Sequence, residues 1–196
     1  MAFIRNCFFM AVMLLCVLFT NAQTVSYPLQ SSQLLNSSAA DVAMLMQKAV
    51  SGSVFNTGVY TTVPLTGITF IYDSTITNNQ ACKIESDGAS FIRLSAAQDN
   101  GLCFGVYQYL HNLGFRFYQP GSVWEIIPSL SSVYKKTDST YNTNFKYNSW
   151  FISGGHNRWV MDNNNSYGWD TYVGENGHNW SLYQRRNGMT GKYRFT

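Results

Sequence analysis

Charge is what this chain has least of. Asp, Glu, Lys and Arg make up 12% of its 196 residues, against 45% hydrophobic residues. That balance excludes a disordered chain, which lacks the apolar surface to form a core. No Lys/Arg run exceeds two residues (Lys135-Lys136, Arg185-Arg186), and the formal net charge is only +3. The basic footprint of a nucleic-acid binder is therefore missing. Cysteine is scarce: two of the four lie in the first sixteen residues, so a cysteine-stapled mini-domain is excluded. The three histidines, His111, His156 and His178, show no metal-ligand spacing. G-x-S-x-G, P-loop and Rossmann glycine patterns are all lacking. Neither a metal nor a cofactor is expected.

Long apolar runs are also missing, with one short exception. Cys7 to Phe19 is an unbroken apolar run of thirteen residues, below the roughly 20 that a membrane span needs. Arg5 precedes it, and Thr20 and Ala22 put small residues at the −3 and −1 positions of a cleavage site. Residues 1–23 therefore read as a signal peptide, cut after Ala22 or Gln23. Leu15 rather than a small residue precedes Cys16, so lipidation is not expected. The expectation is an exported chain, periplasmic or extracellular, with no membrane contact after cleavage. Removing Arg5 leaves 12 basic and 10 acidic residues. Cys82 and Cys103 remain, read either as a disulfide, which an oxidising compartment permits, or as two small buried hydrophobes.

Periodicity organises residues 24–128. Ser38 reads as a helix cap with Asp41 in the first turn, and Val42, Leu45, Met46 and Ala49 recur at helical spacing up to a break at Gly52. Ser53 to Leu65 is ambiguous. Ile68–Tyr72, Ala81–Glu85 and Ser90–Ala96 read as strands, the last two joined by a hairpin turn at Asp87-Gly88. A second helix starts at Asn100-Gly101, buries Leu102, Val106, Tyr109, Leu110 and Leu113, and stops at Gly114. Phe115–Tyr118 and Trp124–Ile127 are short strands. This predicts an α+β domain, a mostly antiparallel sheet with helices packed on one face. Residues 129–144, rich in Ser, Thr and Asn, read as a linker or an extended arm. Residues 145–196 differ again, holding Trp150, Trp159, Trp169 and Trp180. A strand at Phe145–Ile152 and a helix at Trp180–Met189 cannot bury both their apolar faces alone.

One stretch carries a resemblance. It runs Gly101-Leu-Cys-Phe-Gly105-Val-Tyr107, then Leu113-Gly114-Phe-Arg116-Phe117-Tyr118-Gln-Pro120-Gly121, then Glu125-Ile-Ile-Pro128. It resembles the N-terminal α/β domain that precedes the catalytic barrel in α-glucuronidases and β-N-acetylhexosaminidases, in particular secreted α-glucuronidase-like proteins of Bacteroidota. The likeness covers about residues 80–130 and weakens over 24–80. It continues through Trp150, Asn157-Arg158-Trp159 and Trp180–Asn187, which resemble the first strand and helix of the barrel. The resemblance implies that residues 145–196 are an incomplete first β/α unit of a TIM-type barrel, truncated early. It further implies that the parent protein is a glycoside hydrolase whose catalytic carboxylates lie on later barrel strands.

No catalytic residue is therefore assigned in this chain, which is expected to be inactive alone. Asp162, Asp170 and Glu175 sit in a Gly/Asn-rich stretch that does not hold a carboxylate pair at a fixed separation. His156, Asn157, Arg158 and Trp159 are candidates for the substrate rim, where Trp supplies a stacking face and Arg and Asn supply hydrogen bonds to sugar. Ordinary loop packing is the other reading of these four. Structural roles fall to Gly101 and Gly105, which let the helix approach the sheet, to Tyr107, with its ring on the core and its hydroxyl at the edge, and to Gly114. Arg116 is either paired with Glu125 or a solvated surface charge. The expected partner is an oligo- or polysaccharide, with no nucleic acid; the oligomeric state is open. The alternative is a stand-alone secreted module that binds glycans through its Trp-rich tail.

Overall fold

The computed structural model describes residues 22–118, 122–142 and 180–187. The first helix, α1 (Gln33–Ala49), buries Leu35, Ser38, Ala39, Val42, Leu45, Met46 and Ala49, a three- and four-residue spacing that turns one stripe inward. It begins a turn and a half earlier than the Ser38 cap predicts. Ser32 is the N-cap, its hydroxyl accepting from the Leu35 amide at 3.4 Å. Asp41 is consequently a mid-helix residue on the buried side.

Around α1 the chain builds one mixed sheet in the order β2-β1-β3-β5-β4-β8. The strands are β1 (Ala22–Pro28), β2 (Val54–Tyr60), β3 (Gly67–Tyr72), β4 (Cys82–Ser86), β5 (Phe91–Ala96) and β8 (Thr137–Tyr141). A separate two-stranded ribbon joins β6 (Arg116–Phe117) to β7 (Glu125–Ile126). The expected mostly antiparallel sheet is corrected here. β1 pairs in parallel with both β2 and β3, and β3 with β5, while only β4–β5 and β4–β8 are antiparallel. A helical crossover such as β1–α1–β2 is what joins parallel neighbours. Within the described six-stranded sheet only β4–β5 is a sequence-adjacent hairpin, and its turn is tied by the Asp87 carboxylate, which accepts from the amides of Ala89, Ser90 and Phe91.

Side chains alternate along each strand, so one sheet face is apolar. Val25, Ile68, Phe70, Ile84, Ile92 and Leu94 are all fully buried. Onto this face pack α1, over β1 and β2, and α2 (Asp99–Asn112), over β4 and β5, and the two helices touch each other. The opposite face is polar, with a Lys83–Glu85 ion pair at 2.8 Å and the Arg93 guanidinium 4.6 Å from the centre of the Phe91 ring.

Residues 129–141 belong to this domain rather than hanging from it. The Leu130 amide donates to the last-turn carbonyl of Ala49 at 2.8 Å. Buried Tyr109 donates to the Val133 carbonyl at 2.8 Å and accepts from the Lys135 amide at 2.9 Å. The segment expected as a linker or extended arm thus crosses the helical layer and ends as the edge strand β8. Among the described residues no helix is long and apolar enough to cross a membrane. Of the described residues, a cut after Ala22 or Gln23 would remove the end of the β1–β2 ladder.

Candidate functional site

Two glycines set how closely α2 lies on the sheet. A Cβ on Gly101 would stand 2.6 Å from the Ala81 carbonyl oxygen and 2.8 Å from the Ala96 Cβ. One on Gly105 would stand 2.1 Å from Cys82 Sγ. Gly114, at φ +104°, ends α2 in the left-handed region, as its place in the sequence predicts.

That close approach carries Tyr107 into the core beside Asp41 of α1. The expectation that its hydroxyl reaches the edge is corrected: Tyr107 is wholly buried and donates to Asp41 Oδ2 at 2.8 Å. Burial and the adjacent carboxylate push the phenol well above its ordinary value of 10. Asp41 also faces α3 (Trp180–Arg186). Arg186 grips it with two parallel bonds, Nη2 to Oδ1 at 2.5 Å and Nε to Oδ2 at 2.9 Å. Nη1 reaches Glu125 Oε1 of β7 at 2.5 Å. The side chains of Arg186, Asp41 and Glu125 are only 2%, 7% and 3% exposed. Such a buried ion cluster persists only when paired and hydrogen-bonded throughout. The two carboxylates hold the guanidinium's proton more tightly than water does, although burial opposes them.

The surroundings are shaped for the same side chain. The guanidinium carbon lies 4.8 Å from the centre of the Phe117 ring, a cation–π distance. His111 faces the Phe115 carbonyl with Nδ1 at 3.1 Å and the Arg186 carbonyl with Nε2 at 3.0 Å. Next door, Arg185 donates to Ser37 Oγ at 2.8 Å, and Asn187 Nδ2 donates to the Phe117 carbonyl at 3.1 Å.

Arg116 and Glu125 do not pair. In the β6–β7 register Glu125 stands opposite Phe117, and Arg116 opposite Ile126. Exposed Arg116 instead donates to the carbonyls of His111 and Phe115, each at 2.6 Å, so Glu125 is left to Arg186. A two-residue ribbon alternates faces, which puts neighbours in register on one side and separates a diagonal pair.

The disulfide reading is corrected as well. Cys82 and Cys103 are free and buried. Cys82 lies under Gly105, whereas Cys103 Sγ faces Ser38 Oγ of α1 at 3.2 Å. Burial pushes the Cys82 thiol up to about 12 and the Cys103 thiol up to about 11. Both are therefore protonated at neutral pH and shielded. Peptide-resolved alkylation should leave them unmodified in the native protein up to pH 9 and label them fully in denaturant. Rapid native labelling of either would contradict the burial.

A second feature is an open cleft lined by Leu34, Tyr72, Ala97, Gln98, Asp99 and Asn100, at the carboxyl ends of β3 and β5. Its carboxylate is already engaged: Asp99 accepts from the Tyr72 hydroxyl and from the Ser32 amide. This ties β3 and the start of α1 to the start of α2. Among the described residues no group of three His, Cys, Asp or Glu side chains is placed to hold a metal ion. The rim candidates His156, Asn157, Arg158 and Trp159 lie outside the described residues, as do Asp162, Asp170 and Glu175.

Asp41 and Arg186 are what sequence reasoning missed as site residues. A signal existed: once α1 starts at Gln33, Asp41 falls among Leu35, Ser38, Val42 and Leu45 on the buried side, and a carboxylate there requires a cationic partner. Nothing local says that the partner lies 145 positions away.

No family model matches the chain. No curated protein matches it either. Among solved structures there is a weak similarity to the GH20 β-N-acetylhexosaminidase from Streptomyces coelicolor A3(2), at 14% identity and a TM-score of 0.43. That match covers 64% of this chain and 23% of the enzyme, so the chain corresponds to less than a quarter of its length. A likeness at this level carries no argument about activity.

Proposed function

We propose that this chain is the non-catalytic N-terminal domain of a secreted carbohydrate-active enzyme of the glycoside hydrolase kind. Its role is to hold the segment that follows. The observation that carries the scaffold role is the burial of Arg186 between Asp41 and Glu125. The helical layer is organised around a residue from beyond the domain, as a supporting domain requires. What supports the carbohydrate side is the resemblance over residues 101–128. Gly101 and Gly105 seat α2, Gly114 turns the chain, and Glu125 receives Arg186. In this reading His156, Asn157, Arg158 and Trp159 contribute to a substrate rim, and chemistry belongs to carboxylates elsewhere in the parent enzyme.

The test is to incubate the purified, leader-free chain with a panel of aryl glycosides and to pass it over immobilised polysaccharides. Neither turnover nor retention is expected. Turnover would overturn the proposal. Retention abolished by Trp159→Ala and Trp169→Ala would replace it with the glycan-binding alternative.

A further inference from the structure

The ion cluster has a chemical specificity beyond the support of a following segment. We propose that Asp41, Tyr107, Glu125 and Phe117 form an arginine-recognition socket, and that α3 is held by recognition of a guanidinium rather than by positive charge or apolar packing. The inference concerns the same surface as the proposed scaffold role but does not depend on the parent being a hydrolase.

Four observations converge on it. Arg186 addresses Asp41 through two parallel N–H donors, which matches the planar fork of a guanidinium to the edge of a carboxylate. A third donor, on the other terminal nitrogen, reaches a second carboxylate contributed by a different element. Tyr107 donates to the same Asp41 oxygen that Arg186 Nε contacts, so the carboxylate is held from the core side. Phe117 presents its ring to the flat cation. An ammonium is a compact point charge: it has no fixed pair of parallel donors and no planar face to lay on the ring. Arg185, one residue earlier, makes the contrast within the same helix. Its contacts are the neutral oxygens of Leu34, Ser37 and Ser38, and its buried Nε has no partner among the described residues. Residue 186, not merely a basic dipeptide, is what the socket reads.

The experiment follows amide hydrogen exchange in α3 in the full leader-free chain, with β3 and β5 amides as the internal measure of domain folding. Arg186→Ala is expected to speed α3 exchange by at least about 100-fold while β3 and β5 stay protected. Arg186→Lys should behave like the alanine variant. Guanidinium chloride at millimolar concentration, far below denaturing levels, should restore α3 protection in Arg186→Ala, whereas ammonium chloride at the same concentration should not. Lysine protecting as well as arginine would overturn the proposal in favour of simple charge. Unchanged exchange in the alanine variant would overturn it in favour of packing. Equal effects of guanidinium and ammonium would overturn it too. If Arg186→Ala fails to fold, Arg186→Met takes its place with the same three outcomes. Glycoside turnover by the chain would sink the proposed function and leave the socket standing; Arg186→Lys protecting as well as arginine would do the reverse.

Discussion

Gly105→Ala is expected to destabilise the domain by about 2 kcal/mol, although an exposed helical glycine replaced by alanine would normally stabilise. Alanine gains roughly 1 kcal/mol of helix propensity over glycine. Against that, the new Cβ would stand 2.1 Å from Cys82 Sγ and 2.6 Å from Cys82 Cβ. Overpacking of this kind costs about 3 kcal/mol at the upper end of the usual range. The upper end applies because neither side can yield. Cys82 is in β4, flanked by β5 and β8, and α2 is pinned at one end by Asp99 and at the other by Tyr109. The clash therefore wins. Urea denaturation of the purified chain reads it directly as a lower midpoint at constant slope. Adding Cys82→Gly removes both offending atoms, so the double variant should lose less than the sum of the two single changes. A stabilised Gly105→Ala would show that α2 floats over the sheet, and the packing argument for this glycine would fail.

Asp41→Ala has the larger expected effect, about 3 kcal/mol. It strips the bidentate partner from Arg186 and the acceptor from the Tyr107 hydroxyl. A buried pair broken on one side usually costs about 3–5 kcal/mol because the remaining charge stays uncompensated in a poor dielectric. Here α3 is seven residues long and packs against α2, so it has an escape: it lifts off and hydrates its arginine. The loss is then capped by the free energy that holds α3, which places the expectation at the low end. The signature is a split response, with α3 amides exchanging freely and the β3 and β5 core largely unaffected. Replacing the members together, as Asp41→Leu with Tyr107→Phe, Glu125→Leu and Arg186→Met, should recover most of the stability, since apolar isosteres of a buried ion cluster are often neutral. An Asp41→Ala variant losing less than about 1 kcal/mol would rank this cluster with ordinary surface bridges.

The two changes bear on different kinds of information in the chain. Helix stripes, strand alternation and turn residues are local. They were legible in α1 from Val42 onward, in α2 with its stop at Gly114, and in β3, β4 and β5. The same local logic explains why Gly101 and Gly105 read as points of close approach, since a missing Cβ is visible wherever the sequence puts it. Where the local pattern was weak, it failed. β1 and β2 are strands without clean alternation of burial. β8 is a polar edge strand whose composition matches a loop.

What the amino-acid order determined by itself was the α+β class, the position of the buried stripes and the glycine contacts that seat α2. Each follows from spacing along a single element. The direction of the strands, the fate of the two thiols and the partner of Glu125 were decided by tertiary structure. A sheet's polarity depends on which connections cross it. Two cysteines near in sequence point to different neighbours once α2 is rotated onto β4. Glu125 pairs not with Arg116 nearby but with Arg186, because the β6–β7 register turns it toward the Asp41 side. Long-range electrostatic pairing leaves no periodic trace, so only the assembled fold brings Asp41, Glu125 and Arg186 to one point.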